Sequence, residues 1–374
     1  MIFKTLHLGK LTITKIDALA VEHCPNEKLF GYFAFGQPIY VVNDEELAKR
    51  ILIKDFDHFM DRRVAQSNEK YLEQFLSNLE GEEWKQMRSL MSGVFTSGKL
   101  KDMTKHIIDV GQNFEKFISN MAAEGIEVET KEAGGKMSLD AIATAGFGID
   151  ENSFTNPDNQ FRIMALTLVG APGFGSPFRI FKLVFMMALP RLARLLGMTF
   201  ISAKAVNFFE DILKRQYIQR MDAGVKSNDF ISLIIDEIEK KNASPDTKDL
   251  EGPGKTVDDT LNIIIANILL FFIAGYETTS LAFTAICHKL ALYPEHQEKV
   301  HNEILDIIGD SENVTYDNIQ SMKYLEMFIW ESLRVTHLIS SHERKCTKDY
   351  SVPGTNFVIP KGRYVKVHIS KQNT

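Results

Sequence analysis

The chain has 374 residues, 44% hydrophobic and 25% charged, shares that exclude a disordered, collagen-like or coiled-coil polypeptide. Its 49 acidic and 43 basic side chains leave a net charge of −6, so there is no basic footprint for nucleic acid. Three scattered cysteines, Cys24, Cys287 and Cys346, cannot make a disulfide framework or a zinc cluster, and a reducing compartment is expected.

That length suits one large domain or two ordinary ones, and 26 phenylalanines suit a large apolar interior or cavity. At the amino end, Lys4, His7, Lys10, Lys15 and Asp17 break any apolar run, so no signal peptide or anchor is expected. Residues 29–35 and 38–42 are β-rich and separated at Gly36-Gln37, which predicts a hairpin. Asn43 or Asp44 then caps a helix over 45–53. Within 81–103, Trp84, Met87, Arg88 and Met91 share one helical face, and 139–149 is a short helix ending near Phe147-Gly148.

Residues 178–209 mix Arg179, Lys182, Arg191, Arg194 and Lys204 with Phe, Met and Leu. That mixture suits contact with a membrane surface, or an amphipathic helix pair packed on a core. An exposed loop over 240–259 follows, then a long helix over 257–292 stopped by Pro294. Its most apolar stretch, 263–276, is shorter than the ~20 residues of a bilayer span and is expected to be buried on all sides. Helices over 295–308 and 322–336 follow, then strands over 350–352, 355–359 and 364–367 joined by Pro-Gly and Pro-Lys-Gly turns. Strands at both ends of a helical chain predict a small peripheral sheet closed across the whole sequence.

The central helix carries Ala274-Gly275-Tyr276-Glu277-Thr278-Thr279. Gly275 lets backbone or ligand approach closely, and Thr278 can bond back to the carbonyl of Ala274. A carboxylate and a hydroxyl beside small residues can bind a small polar molecule and pass it protons. The plainer alternative is a solvated Glu277. Glu331 and Arg334 pair charges at i, i+3, which by spacing alone reads as a surface pair. Their apolar neighbours Phe328, Ile329, Trp330, Leu333 and Val335 instead lead us to expect the pair buried and bonded. Trp84 and Arg88 make either a surface cation–π pair or two donors to one anion. Arg344, in Glu343-Arg344-Lys345, is either part of a solvated run or an anion site.

Trp84-x-x-x-Arg88, Ala274-Gly275-x-Glu277-Thr278, Glu331-x-x-Arg334, Arg344-x-x-x-x-Asp349-Tyr350 and Ile359-Pro360-Lys361-Gly362 occur in the order found in cytochrome P-450. With Phe-Met-Asp-Arg-Arg at 59–63 and Phe147-Gly148, the chain resembles the eukaryotic microsomal members, closest to the clan of vertebrate and arthropod xenobiotic oxidases. The resemblance implies a mainly α cytochrome P-450 fold, one domain over 1–374, and a haem-dependent monooxygenase acting on an apolar small molecule. It implies Trp84, Arg88 and Arg344 on the haem propionates and Ala274 against the haem face. Glu277 and Thr278 would supply protons, Leu270, Ile273 and Ala274 would wall the substrate, and Glu331 and Arg334 would be a structural pair. The implied partner is an NADPH-dependent reductase at the cytosolic face of the endoplasmic reticulum.

The family's axial ligand is a cysteine in a Phe-x-x-Gly-x-Arg-x-Cys-x-Gly loop, and none of Cys24, Cys287 and Cys346 has that setting. Such a loop would follow residue 374, and neither a membrane anchor nor a proline-rich hinge is found at the front. The domain is therefore expected to be incomplete at both ends, with haem bound weakly or not at all and no turnover by the chain as it stands. Two alternatives stand beside the monooxygenase: a haem-free, inactive remnant of the same fold, and an unrelated helical small-molecule-binding protein.

Overall fold

Strands β1 (Leu29–Ala34) and β2 (Gln37–Val42) form the expected antiparallel hairpin, with Leu29 opposite Val42 and Ala34 opposite Gln37. The computed structural model describes residue 19 and residues 21–368, apart from 35–36, 64–67, 151, 157, 171–180, 183–184, 187–188, 200, 224–228, 244–256, 310–313, 337 and 339–340. Asp44 caps α1 (Glu45–Lys49) by accepting from the Leu47 amide, and the chain continues as a π-helical turn over Arg50–Lys54. The segment expected over 81–103 is split between two helices, α2 (Gly81–Val94), which carries Trp84, Met87, Arg88 and Met91, and α3 (Ser97–Ala123), with the break at Phe95-Thr96. Helix α4 (Thr130–Phe147) ends where expected, because Gly148 takes φ 64°, a left-handed cap that costs glycine little.

There follow α5 (Gln160–Val169), α6 (Pro190–Leu195), α7 (Ala203–Ala223) and α8 (Phe230–Ala243). The central helix is α9 (Val257–Leu292), and α10 (Pro294–Ile308), α11 (Tyr316–Ser321) and α12 (Lys323–Thr336) come after it. Most of the expected 240–259 loop lies outside the described residues. By length and composition alone, Leu261–Leu292 of α9 could cross a bilayer. In the fold it packs along α4, and Phe147, Phe161, Phe209 and Phe272 interlock beside it with ring centroids 5.1–6.2 Å apart. The abundant phenylalanine therefore fills a core, each ring pair adding about 0.5–1.5 kcal/mol beyond area burial.

The chain closes with β3 (Ser341–Lys345), β4 (Tyr350–Ser351), β5 (Val358–Ile359) and β6 (Tyr364–His368). Strand β3 was not expected. It pairs antiparallel with β6, and β6 pairs parallel with β2, so the sheet order is β1-β2-β6-β3 and the two ends of the chain meet. A second core lies beneath this sheet, formed by Leu47, Ile51, Phe59, Tyr350 and Val365 with Cys346 among them.

Candidate functional site

Alternation along β3 sorts its charges. Glu343 takes a bidentate pair from Arg63, at 2.6 and 3.3 Å, and Lys345 pairs with Glu80 at 2.7 Å. His342 and Arg344 point to the other side. There Arg344 is half-buried, its Nε is shielded from water without a hydrogen-bond partner, and its guanidinium lies 5.2 Å from the Phe56 ring centre. The opposite side of the contact is aromatic: Trp84 of α2 sits 5.7 Å from the same ring. Phe56 thus joins Trp84 and Arg344, 260 residues apart in the chain. Burial, with Arg62 nearby, lowers the Arg344 pKa to about 10, and burial with Arg62 and Arg344 lowers that of His342. Arg88, one turn along α2, is exposed.

The second half of the site is α9 (Val257–Leu292). Burial on all sides is not observed. Residues 264–269 and Phe272 are buried, whereas Leu270, Ile273 and Glu277 are half-buried and Ala274 and Thr278 exposed. One apolar stripe of the helix has no covering element among the described residues, so an all-round apolar sequence does not become all-round burial. Thr278 Oγ1 donates to the Ala274 carbonyl at 2.6 Å, the back-bond its position suggested. Ser138 of α4 donates to the carbonyls of Gly275 and Tyr276 at 3.1 and 3.2 Å. Three successive carbonyls therefore accept side-chain hydroxyls at this point of the helix. Ser138 was missed from sequence, since nothing local marks a serine that serves a helix 137 residues away.

Glu277 Oε1 lies 3.0 Å from Lys131 Nζ at the start of α4, both side chains about half exposed. The carboxylate and the Thr278 hydroxyl are neighbours about 100° apart around the helix rather than a stacked pair. Ile273 lines a cavity of about 130 Å³ with Tyr71, Phe75 and Leu269. Leu270 packs on the edge of the main core.

Glu331 and Arg334 are bonded as expected, Nε to Oε2 at 2.6 Å and a terminal nitrogen to Oε1 at 2.7 Å, but they are not buried. Their side chains are 59% and 43% exposed, on the side of α12 where Trp330 and Val335 face solvent too, while Phe328, Ile329 and Leu333 are half-buried. The mutual hydrogen bond lowers the Glu331 pKa and raises that of Arg334.

A haem carries two carboxylates and an iron with axial positions. The shielded, unpartnered Arg344 Nε, beside Trp84 and with Arg62 adding charge, fits the carboxylates. The cysteines do not fit the iron. Cys346 is fully buried in the core under the sheet, its Sγ donates to the Lys348 carbonyl at 2.8 Å, and burial raises its pKa to about 11. Burial also raises the pKa of Cys287.

The family model described as cytochrome P-450 matches residues 14–373. Among curated proteins, cytochrome P-450 6a2 of Drosophila melanogaster is 32% identical over 342 residues, covering 90% of this chain and 66% of that protein. Cytochrome P-450 9e2 of Blattella germanica is 32% identical over 376 residues, covering 93% and 69%. Cytochrome P-450 6a9 of Drosophila melanogaster is 34% identical over 340 residues, covering 90% and 66%. The chain thus spans about two thirds of the length of these relatives.

Proposed function

Because the chain belongs to the cytochrome P-450 family, we propose that the space between Arg344 and the open face of α9 is the haem site of a monooxygenase that inserts one atom of dioxygen into an apolar small molecule. The reading of an unrelated helical binding protein falls with the family assignment. The observation that carries the proposal is Arg344, half-buried, its Nε shielded from water and without a hydrogen-bond partner, and its guanidinium joined to Trp84 through Phe56. Trp84, Arg88 and Arg344 would hold the propionates and Ala274 would lie against the ring. Haem, when bound, supplies the oxidising chemistry. This chain's own side chains do the rest. Thr278 gives its hydrogen to the Ala274 carbonyl, which leaves its oxygen free to accept toward the open face. Glu277, partly exposed and paired with Lys131, would renew protons there. Leu270, Ile273 and Ala274 present the apolar wall to substrate.

The partner of such a site would be an NADPH-dependent reductase at the endoplasmic reticulum membrane. Contact of residues 178–209 with a membrane surface draws support from Phe181, Leu189, Leu192, Leu195 and Leu196, all exposed alongside Arg191 and Arg194. The test of the site separates its carboxylate end from the iron. Iron-free protoporphyrin should quench Trp84 fluorescence, while its dimethyl ester should bind far more weakly. A hydrogen bond to a charged group contributes about 1.5–3 kcal/mol, so Arg344→Gln should weaken binding of the free acid by roughly ten- to a hundredfold. Equal binding of acid and ester by the parent chain would remove the assignment.

A further inference from the structure

The motif Phe-Met-Asp-Arg-Arg at 59–63 runs between Phe56 and α2, and Asp61 at its centre is buried, 8% exposed. A buried aspartate needs partners, and Asp61 holds two elements with two different groups. Its side-chain Oδ1 accepts from the Gly81 amide, the first of α2, at 2.9 Å. Its main-chain carbonyl accepts from the Lys345 amide at the end of β3, at 2.8 Å. The first amides of a helix lack partners inside it, and the residue just before them usually supplies one. Glu80 does not: it makes no side-chain hydrogen bond to the first turn and bonds Lys345 instead, at 2.7 Å. The cap of α2 therefore comes from Asp61, 20 residues back in the chain, and its carboxylate suits the positive end of the helix.

The segment around Asp61 travels with the strand. Thr347 donates its amide to the His58 carbonyl at 2.8 Å, and Arg63 holds Glu343 at 2.6 Å. These bonds and the Asp61 carbonyl would survive loss of the Asp61 side chain; its hold on Gly81 would not. The Glu80–Lys345 pair crosses the same junction, but both side chains are partly exposed and water screens it. Trp84 and Arg88 follow Gly81 on α2, and Arg344 directly precedes Lys345. We infer that Asp61 is a positioning residue: by capping α2 from the unit that carries Arg344, it keeps Trp84 and Arg88 in register with Arg344 for the carboxylates of one porphyrin. That role rests on reading this space as the haem site; the tie between α2 and β3 does not.

Two variants of the 374-residue chain test it. Asp61→Ala removes the acceptor, and Asp61→Asn keeps an oxygen there in the same shape. Asp61→Ala should speed amide exchange at Gly81 roughly five- to tenfold and leave Lys345, whose acceptor is main-chain, at the parent rate. It should weaken binding of iron-free protoporphyrin, read by Trp84 fluorescence, by roughly three- to tenfold, with the weaker binding of the dimethyl ester unchanged. Asp61→Asn should bring back most of both. A merely structural aspartate would cost the acid and the ester alike. Unchanged exchange at Gly81, or losses that are nil or equal for acid and ester, overturn the proposal. If Lys345 loosens along with Gly81, Asp61→Asn decides: a restored preference for the acid keeps the role, and its absence ends it. A parent chain that binds acid and ester equally removes the haem-site reading and this role with it, whereas exchange at Gly81 still decides the tie between α2 and β3.

Discussion

Two bidentate ion pairs of nearly equal geometry, Arg220–Asp229 and Arg334–Glu331, differ in their access to water. Asp229 is 1% exposed, accepts from Arg220 at 2.8 and 2.6 Å, and also accepts from the Ser232 amide at the start of α8. Removing it leaves a mostly buried guanidinium unpaired and an amide unsatisfied. Asp229→Ala should therefore destabilise the fold by about 3–5 kcal/mol. Glu331→Ala, at a pair that water already screens, should leave the urea midpoint where it is. Equilibrium unfolding of both variants at constant m separates the cases, and the reverse order would mean that exposure does not govern these pairs. Sequence could pair Glu331 with Arg334, since spacing on a helix fixes that. It could not bury them, because the apolar neighbours Trp330 and Val335 show that the helix has an apolar side and not that anything covers it.

Contact between α4 and α9 is set by glycines rather than by large side chains. A Cβ at Gly134 would stand 2.7 Å from Phe283 Cδ1, and one at Gly275 3.1 Å from Ile142 Cδ1. Gly111 of α3, by contrast, has nothing within 4 Å. Gly134→Ala should therefore cost about 1–3 kcal/mol through overpacking, whereas Gly111→Ala should gain about 0.5–1 kcal/mol from helix propensity. Urea midpoints that move in the same direction for both would show that the interface is looser than its spacings. Legibility at this scale follows the range of the forces involved. Helix α9 could be read to its ends because its apolar run, and Pro294 just beyond it, are local signals. The break at Phe95-Thr96 was invisible, because the apolar spacing carries on across it. Strand β3, Ser-His-Glu-Arg-Lys, has no apolar alternation and exists by pairing with β6 and by the ties of Glu343 and Lys345 to Arg63 and Glu80. The same is true of the site: Arg344 and Trp84 were readable as motifs, but Phe56, which joins them, and Ser138, which serves α9, carry no signal of their own in the sequence.

Across the whole molecule, the carboxylate end of the site and the cysteines lie in different environments. Arg344 is half-buried, with its Nε shielded and unpartnered, while Cys346, two residues on, has turned into the core beneath the sheet as a neutral thiol. Cys287 lies 13 residues beyond Ala274 on the same helix, about 20 Å along it at 1.5 Å per residue. A thiolate on iron is what gives this family its red-shifted reduced carbon-monoxide spectrum, and neither sulfur is placed or ionised for that role. Haem added to the 374-residue chain should therefore give a reduced carbon-monoxide band of the unshifted type, with water or nitrogen on the iron. The pKa of Cys346 adds a second measurement on the same sulfur. It is raised from 9.0 to about 11 by burial, so the folded state favours the thiol. Its contribution to stability is complete below pH 9 and is lost as the pH rises through about 11. Labelling of Cys346 with a thiol reagent at pH 8 should accordingly be far slower than that of an unfolded control. A red-shifted Soret band at neutral pH would contradict this account of the cysteines, and its persistence in Cys24→Ala would assign the ligand to Cys287 or Cys346.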